Sequence, residues 1–168
     1  MKELCKSFAY ARRGFLYCVK NERNMRIHIT VSVYMYSFLL FYDFFSIDRT
    51  QLAILLLTNA LVFMAEIFNT AIEKTVDMIE TRYNKFCEIA KDAAAGAVLV
   101  GAVFSVAVGI AVLWQPDAFL KLFDYYLQKP WMIAVFAASL AVSGAFIILP
   151  SGIHMKSNNK NKKRKKTK

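Results

Sequence analysis

Four long apolar runs dominate the chain, and each is long enough to form a membrane-spanning helix. They cover residues 29–47, 52–72, 93–114 and 131–149, and the first is the least uniform because Asp43 lies near its far end. A hydrocarbon core of about 30 Å needs roughly 20 helical residues at about 1.5 Å each. The apolar residues are continuous, without the alternation typical of a membrane β-barrel strand. The pattern therefore predicts an all-α membrane protein with four transmembrane helices.

The first 20 residues show helical periodicity of another kind. Leu4, Phe8, Ala11, Phe15 and Cys18 recur at i, i+4, i+7, i+11 and i+14, and the basic side chains lie mostly elsewhere on the helical wheel. An apolar stripe beside a basic face is typical of a helix that lies in the headgroup region of a membrane. An amphipathic helix packed on a partner is the alternative, and the two interpretations are compatible.

The charge distribution predicts how the helices are oriented in the membrane. Among 168 residues, 57% are hydrophobic and the formal net charge is +10; residues 1–28 carry +5, residues 151–168 carry +8, and the remainder carries −3. Basic segments flank the cytoplasmic ends of transmembrane helices. Both termini and a loop over residues 73–92 are therefore expected in the cytoplasm, and loops near residues 43–49 and 115–130 are expected outside.

The two ends of the chain carry further expectations. The basic tail, residues 151–168, has the composition of a disordered segment, either a solvated positive anchor or a ligand of anionic lipid. Nucleic acid is not an expected partner, because the apolar middle of the chain does not suit a soluble nucleic-acid-binding module. Three cysteines without metal-ligand spacing are read as reduced thiols.

Polar side chains share one face of the second predicted span. With about 100° per residue, Glu66, Asn69, Glu73 and Asp77 fall within an arc of roughly 80°. A carboxylate at lipid depth is costly, so Glu66 is expected to face the bundle interior or a cavity. Glu66 could instead be a packing group and the other two acids a solvated helix end. The shared face favours a reaction between a buried lipid group and a soluble reagent.

Further candidate groups lie at the same predicted inner boundary. Glu22 precedes the first span, and Lys91 and Asp92 precede the third. Carboxylates can hold Mg²⁺ beside phosphates, and a lysine can neutralise the oxygens of a transferring phosphoryl group. The sequence contains no P-loop, G-x-G-x-x-G or zinc signature. Any nucleotide chemistry therefore takes place without a soluble-kinase fold.

Three short motifs resemble those of a known family. Residues 65–77, AEIFNTAIEKTVD, resemble the signature of the bacterial integral-membrane diacylglycerol kinases. The AKD of residues 90–92, followed by an Ala/Gly-rich span, is similar to the family's second motif, and NERNMRIH at residues 21–28 is similar to its undecaprenol kinase branch. The resemblance covers about residues 8–114.

The resemblance implies a small homotrimeric enzyme that transfers the γ-phosphate of MgATP to a membrane lipid alcohol. It implies that Glu66 is the catalytic base, that Asn69 is a polar active-site residue, and that Glu22 and Glu73 bind Mg²⁺ with the nucleotide. It also implies nucleotide contacts at five further positions: Tyr10, Arg82, Asn84, Lys91 and Asp92. A site shared between two chains is expected from the small size of the chain.

Part of the chain departs from the family pattern. The family core has three spans and would occupy residues 1–116, which leaves residues 117–150 as an additional transmembrane helix and residues 151–168 as the basic tail. The residues that shape the lipid site match poorly, so undecaprenol and diacylglycerol are both candidate substrates. A small four-helix proton-coupled transporter is the main alternative function, and a structural subunit without chemistry is a third.

Overall fold

A computed structural model describes residues 2–80 and 84–149, and within these ranges the chain forms helices and no strands. The predicted all-α class is confirmed, and the surface helix predicted over residues 2–20 is α1. The helices are α1 (Lys2–Asn21), α2 (Arg23–Phe41), α3 (Arg49–Ile79), α4 (Lys85–Leu113), α5 (Pro116–Gln128) and α6 (Pro130–Ile148). Arg82 and the basic tail lie outside the described residues.

Three of these helices, α3, α4 and α6, are long and apolar enough to cross a membrane. The helix α2 has 19 residues and is also long enough, but Arg23, Asn24, Arg26 and His28 make its first turns polar. The predicted bounds of this first span, residues 29–47, are wrong at both ends. The helix begins at Arg23 and ends at Phe41; membrane crossing by α2 stays a prediction.

The early end of α2 has a structural reason in the segment that follows it. Tyr42 adopts an extended backbone, and its ring lies 5.4 Å from that of Tyr125 in an edge-to-face contact. Ser46 donates its backbone N–H to Gln115 Oε1 and accepts from Gln115 Nε2, both at 3.0 Å. Residues 42–48 therefore fold back onto the α4–α5 junction instead of continuing the helix. Hydropathy alone does not register such a turn, because its residues are largely aromatic.

The helices α3 and α4 form a long antiparallel hairpin. Asp48 begins α3 with a capping box in which its carboxylate accepts from the Gln51 backbone N–H at 2.7 Å. The Asn84 side chain caps α4 by accepting from the Phe86 N–H at 2.9 Å. The bounds predicted for the loop over residues 73–92 are therefore wrong, because only residues 80–84 separate the two helices. Its cytoplasmic location stays a prediction. With 31 residues, α3 is about 46 Å long, so its polar end extends well beyond a hydrocarbon core of about 30 Å.

The helix α5 replaces the outer loop that was expected over residues 115–130. Pro116 occupies the first turn, where its missing N–H costs nothing, and Pro130 follows directly after the helix. Phe119 contacts Phe45, and Tyr126 shares a hydroxyl contact of 3.2 Å with Tyr42. An amphipathic helix thus lies over the turn between α2 and α3, at the end of the bundle opposite the polar end of α3.

The additional helix α6 packs along α2. Near one end, Arg26 Nη1 donates to the backbone oxygen of Leu149 at 2.6 Å. At mid-helix, Tyr34 donates its hydroxyl proton to Ser139 at 2.9 Å, and Ser143 lies 3.1 Å from the same hydroxyl. Since Tyr34 has a single hydroxyl proton, Ser143 is the donor in the second bond. The start of α2 and the end of α6 therefore lie at the same end of the bundle, as an even number of crossings requires.

We predict that the Tyr34 hydroxyl couples α2 to α6 energetically. Tyr34→Phe and Ser143→Ala should each lower the free energy of unfolding in mixed micelles by about 0.6 to 2 kcal/mol. The double variant should lose less than the sum, because both substitutions remove the same bond.

Tyr36→Phe is the matched control for this cycle. The Tyr36 hydroxyl accepts from Asn59 on the α3 side of α2, at 2.8 Å. Its loss should add independently to that of Ser143→Ala. Additive losses for Tyr34→Phe and Ser143→Ala would contradict the coupling.

Candidate active site

The predicted polar face of α3 is present, and its side chains become more exposed along the helix from Glu66 to Asp77. Glu66 and Asn69 are buried, Glu73 is half-buried and Asp77 is exposed. Asn69 Nδ2 donates to Glu73 Oε1 at 3.2 Å. The face thus forms a continuous polar strip that leads from the middle of the bundle to its exposed end.

Glu66 is enclosed by protein on every side. Only 1% of the residue is exposed, and His28 Nε2 of α2 lies 3.5 Å from Oε1. This oxygen has no hydrogen-bond partner among the described residues. The predicted inward orientation of the carboxylate is therefore present, and a proton-accepting atom remains uncommitted inside the bundle.

The surface helix α1 contributes part of this enclosure through Cys18. The thiol is buried beside Thr70, whose hydroxyl donates to the backbone oxygen of Glu66 at 3.0 Å. Burial raises the pKa of Cys18, the contact with the Thr70 side chain lowers it, and the nearby carboxylates of Glu22 and Glu66 raise it further. The thiol is therefore a neutral neighbour of Glu66. All three cysteines are unpaired in the structure.

Glu22 lies in the break between α1 and α2 and faces the same strip. Burial is the largest of the effects that raise the pKa of the Glu22 carboxyl, and the negative charges of Glu73 and Glu66 raise it further. The positive charges of Lys74 and Arg26 lower it. Glu22 and Glu73, which are distant in sequence, are therefore close enough to repel each other electrostatically.

This arrangement fits Mg²⁺ in the manner expected of a nucleotide-bound ion. Within residues 2–80 and 84–149, no group of three or more His, Cys, Asp or Glu side chains is arranged to hold a metal ion. Mg²⁺ commonly uses one or two protein carboxylates and takes its other oxygens from phosphates and water. The Glu22 and Glu73 pair meets this requirement. Asn69 Oδ1 supplies a further buried oxygen that lacks a hydrogen-bond partner in the described part of the chain.

Lys91 extends the strip onto α4. Its ammonium group pairs with the Asp77 carboxylate, so that the first turns of α4 are joined to the last turns of α3. The charge of Glu73 also acts on Lys91. The pair places a cation at the exposed end of the polar strip, where a soluble phosphate group has access.

The remaining predicted site residues do not join this cluster. Tyr10 is 61% exposed on α1, with the Arg13 guanidinium 4.7 Å from its ring centre. Asn84 caps α4, and Asp92 is exposed beside Lys91. Arg82 is outside the described residues. Nucleotide contact by these four side chains stays a prediction.

The sequence reasoning did not single out His28, Cys18 or Thr70 as parts of the site. For His28 a signal existed, because an ionisable side chain near the start of an apolar helix is expected to face the bundle interior. Its pairing with Glu66 depends on how α2 is rotated against α3, which sequence periodicity does not fix. Cys18 was read as part of an apolar stripe, which is consistent with its burial.

Comparison with known proteins agrees with these features. Residues 9–113 match the family of prokaryotic diacylglycerol kinases. The diacylglycerol kinase of Synechocystis sp. is 38% identical over 114 residues, which cover 67% of this chain and 63% of that protein. The undecaprenol kinase of Bacillus subtilis is 37% identical over 109 residues, or 64% of this chain and 85% of that protein. The diacylglycerol kinase of Escherichia coli is 33% identical over 69 residues, or 41% of this chain and 57% of that protein.

The matches are confined to part of each chain. The matched region spans less than two thirds of the Synechocystis and Escherichia coli proteins, and α5 and α6 lie beyond the family match. Solved structures give no significant match. None of the comparisons supports the transporter alternative.

The motifs of residues 21–28, 65–77 and 90–92 lie inside the matched region, and the apolar helices are those of a membrane protein. The chain therefore belongs to the prokaryotic diacylglycerol kinase family.

Proposed function

We propose that this protein is a lipid kinase that transfers the γ-phosphoryl group of ATP to the hydroxyl group of a membrane lipid alcohol. The observation that carries the proposal is the polar strip of α3, which joins the buried carboxylate of Glu66 to the exposed Asp77–Lys91 pair. Such a strip allows an acceptor at membrane depth and a water-soluble donor to approach the same protein surface.

Glu66 acts as the base in this reaction. Its carboxylate accepts the proton of the lipid hydroxyl as the hydroxyl oxygen bonds to the γ-phosphorus. The bond between that phosphorus and the bridging oxygen of ATP breaks, and ADP leaves. Because Glu66 is held by His28 and by the turn at Thr70, its carboxylate is positioned before the substrates arrive.

The carboxylates of Glu22 and Glu73 hold Mg²⁺ together with the phosphates of ATP. The ion, when bound, neutralises charge on the phosphate oxygens. The hydrogen bond from Asn69 to Glu73 fixes one of these carboxylates relative to Glu66. Electrostatic repulsion between Glu22 and Glu73 supports this role, since two mutually repelling carboxylates gain stabilisation from a cation.

Lys91 binds the phosphate groups from the α4 side. In the structure its ammonium is held by Asp77 at the exposed end of the strip. A lysine at this point attracts the polyphosphate and offsets negative charge that develops on the transferred group. Asp77 orients the lysine, and Tyr10, Arg82, Asn84 and Asp92 are proposed to contact the nucleotide.

Undecaprenol is the preferred lipid substrate and diacylglycerol is the second candidate. The preference rests on residues 21–28, which resemble the undecaprenol kinase branch. Both lipids remain candidates because the chain has a named relative of each kind. We propose that the protein lies in the bacterial cell membrane with both termini in the cytoplasm, because the sequence is basic near both ends and the start of α2 lies beside the end of α6.

The kinase core comprises residues 1–116, and residues 117–150 support it from the α2 side. The core functions as a homotrimer in which one active site draws residues from two chains. In a single chain, α4 and α6 leave almost all of their apolar side chains exposed, which leaves extensive surface for lipid and for further copies.

Glu66→Gln should lower turnover at least about a hundredfold, because the amide retains the shape of the carboxylate but accepts no proton. The assay measures transfer of label from γ-labelled ATP to undecaprenol and to diacylglycerol in mixed micelles. Glu3→Gln, at an exposed glutamate paired with Lys6 on α1, is the matched control and should retain activity. Near-normal turnover in folded Glu66→Gln would remove Glu66 from this role, and absence of lipid labelling by the unaltered protein would refute the kinase.

Glu22→Gln and Glu73→Gln should each raise the Mg²⁺ concentration needed for half-maximal activity at least about tenfold, since each removes one anionic ligand. The dependence on Mg²⁺ is measured at saturating ATP, with Glu3→Gln again as the control. An unchanged Mg²⁺ requirement in both variants would exclude these carboxylates as ligands.

Mixing two inactive variants tests the shared site. Chains with Glu66→Gln are combined with chains that carry Tyr10→Ala and Asp92→Ala, and the two are reassembled at equal amounts. If a site takes Glu66 from one chain and the nucleotide contacts of Tyr10 and Asp92 from its neighbour in a closed ring, about a quarter of the sites contain all of these native residues. We expect about that fraction of the unaltered activity, and a mass of three copies. No recovery of activity would show that each site lies within one chain.

A further inference from the structure

We propose that His28 is the proton relay of Glu66: it takes up the proton that Glu66 removes from the substrate hydroxyl and returns it to water. This inference rests on the proposed kinase function and extends it to a residue that the family resemblance did not implicate. It starts from the pairing of an almost fully buried carboxylate with a partly exposed imidazole.

A buried base needs a route by which it is regenerated. The Glu66 side chain is 2% exposed, so after one phosphoryl transfer its new proton has no direct contact with water. The His28 side chain is 23% exposed, and its Nε2 lies 3.5 Å from Glu66 Oε1. This separation is longer than a formed hydrogen bond, and a small rotation of either side chain closes it. His28 lies in the polar first turns of α2, about one turn after the exposed side chains of Arg23 and Asn24, so it connects the protected carboxylate to the polar end of the bundle.

The other neighbours of Glu66 are poorly suited to this task. Along α3, the next carboxylate is Glu73, and Asn69 intervenes with an amide that does not accept a proton. Cys18 is buried, and its raised pKa keeps the thiol protonated, so it has no free site for a further proton. Imidazole is the side chain whose ordinary pKa lies near neutrality, so it both accepts and releases protons under working conditions.

The proton balance of the cycle is complete with the substrates, Glu66, His28 and water. The lipid hydroxyl gives its proton to the Glu66 carboxylate as the new O–P bond forms and ADP departs. The protonated carboxyl then donates to Nε2 of neutral His28, and the imidazolium releases the proton to water. Relay requires neutral His28 at the start of each cycle, so turnover should fall in acid that protonates the imidazole.

Other charged groups face the pair and belong to its electrostatic environment. Both Glu22 and Cys18 act on Glu66, and α6 contributes a backbone oxygen rather than a charge, through Leu149 on Arg26. Cys18 of α1 and Glu22 before α2 face Glu66. Glu73 and Lys74 of α3 and Arg26 of α2 act on Glu22, and Lys91 of α4 is reached through Glu73.

The decisive experiment compares His28→Gln with Ser32→Ala across the pH range. Ser32 lies one turn further along the same face of α2; its hydroxyl donates to the backbone oxygen of His28 at 2.8 Å and lies 3.2 Å from Asn59 Oδ1 of α3. Its loss therefore disturbs the same turn and the same helix contact without removing a titratable group. In His28→Gln, turnover should fall about tenfold or more, KM for ATP and for lipid should stay within about twofold, and the acidic limb of the pH–rate profile should change shape, because the imidazole no longer contributes to it. In Ser32→Ala the shape of the profile should be unchanged.

A second variant tests the relay by chemical rescue. His28→Ala leaves a space beside Glu66, and added imidazole should restore part of the lost turnover in proportion to its neutral form. Restoration by imidazole but not by an equal concentration of pyrrole would support the relay. The unaltered protein alone must show an acidic limb, and its absence would overturn the relay even if neither variant folds.

The outcomes separate the relay from the kinase function. If the unaltered protein phosphorylates lipid and His28→Gln retains its turnover, or loses turnover by one constant factor at every pH, the relay is wrong and the kinase stands. If the unaltered protein labels no lipid, the proposed function and the relay fall together.

Discussion

The burial of one carboxylate at membrane depth is the constraint on which the arrangement of α1, α2 and α3 depends. An acidic group surrounded by acyl chains would be neutralised or expelled towards water, so Glu66 requires polar protein on several sides. His28 comes from α2, Asn69 and Thr70 come from its own helix, and Cys18 closes the site from α1. The helix α1 is therefore part of the wall around Glu66.

The same cluster shows how a small chain can support chemistry with a very limited core. The fully buried side chains in the described part of the molecule are few, and Glu66 and Met25 are the largest of them. Most apolar side chains of α4 and α6 are exposed in the single chain, as expected where lipid or another copy is the surrounding medium. The polar side chains that are fixed by hydrogen bonds and ion pairs lie mainly in the first third of α2 and the second half of α3.

The polar strip could be predicted from the sequence because helical geometry is local: Glu66, Asn69 and Glu73 share a face in any regular helix. The all-α class followed equally from the length of the apolar runs. The loop over residues 73–92 was wrong because loss of hydropathy marks the end of the membrane, and α3 and α4 continue beyond it. The turn at Tyr42 and the pairing of His28 with Glu66 depend on contacts between distant helices, and no periodicity in one segment encodes these contacts.

The hydrogen bond from Arg26 to the backbone oxygen of Leu149, at the end of α6, links two parts of the chain, one inside the family match and one beyond it. Arg26 lies four residues after Glu22 and is 6% exposed, so its guanidinium must find an acceptor within the protein. The acceptor comes from a helix beyond the family-matched region. A related chain that lacked α6 would have to supply another oxygen or change the residue at this position. The appended helix is thus tied to the core through a residue of the motif at residues 21–28, and loss of that helix would leave a buried guanidinium without its acceptor.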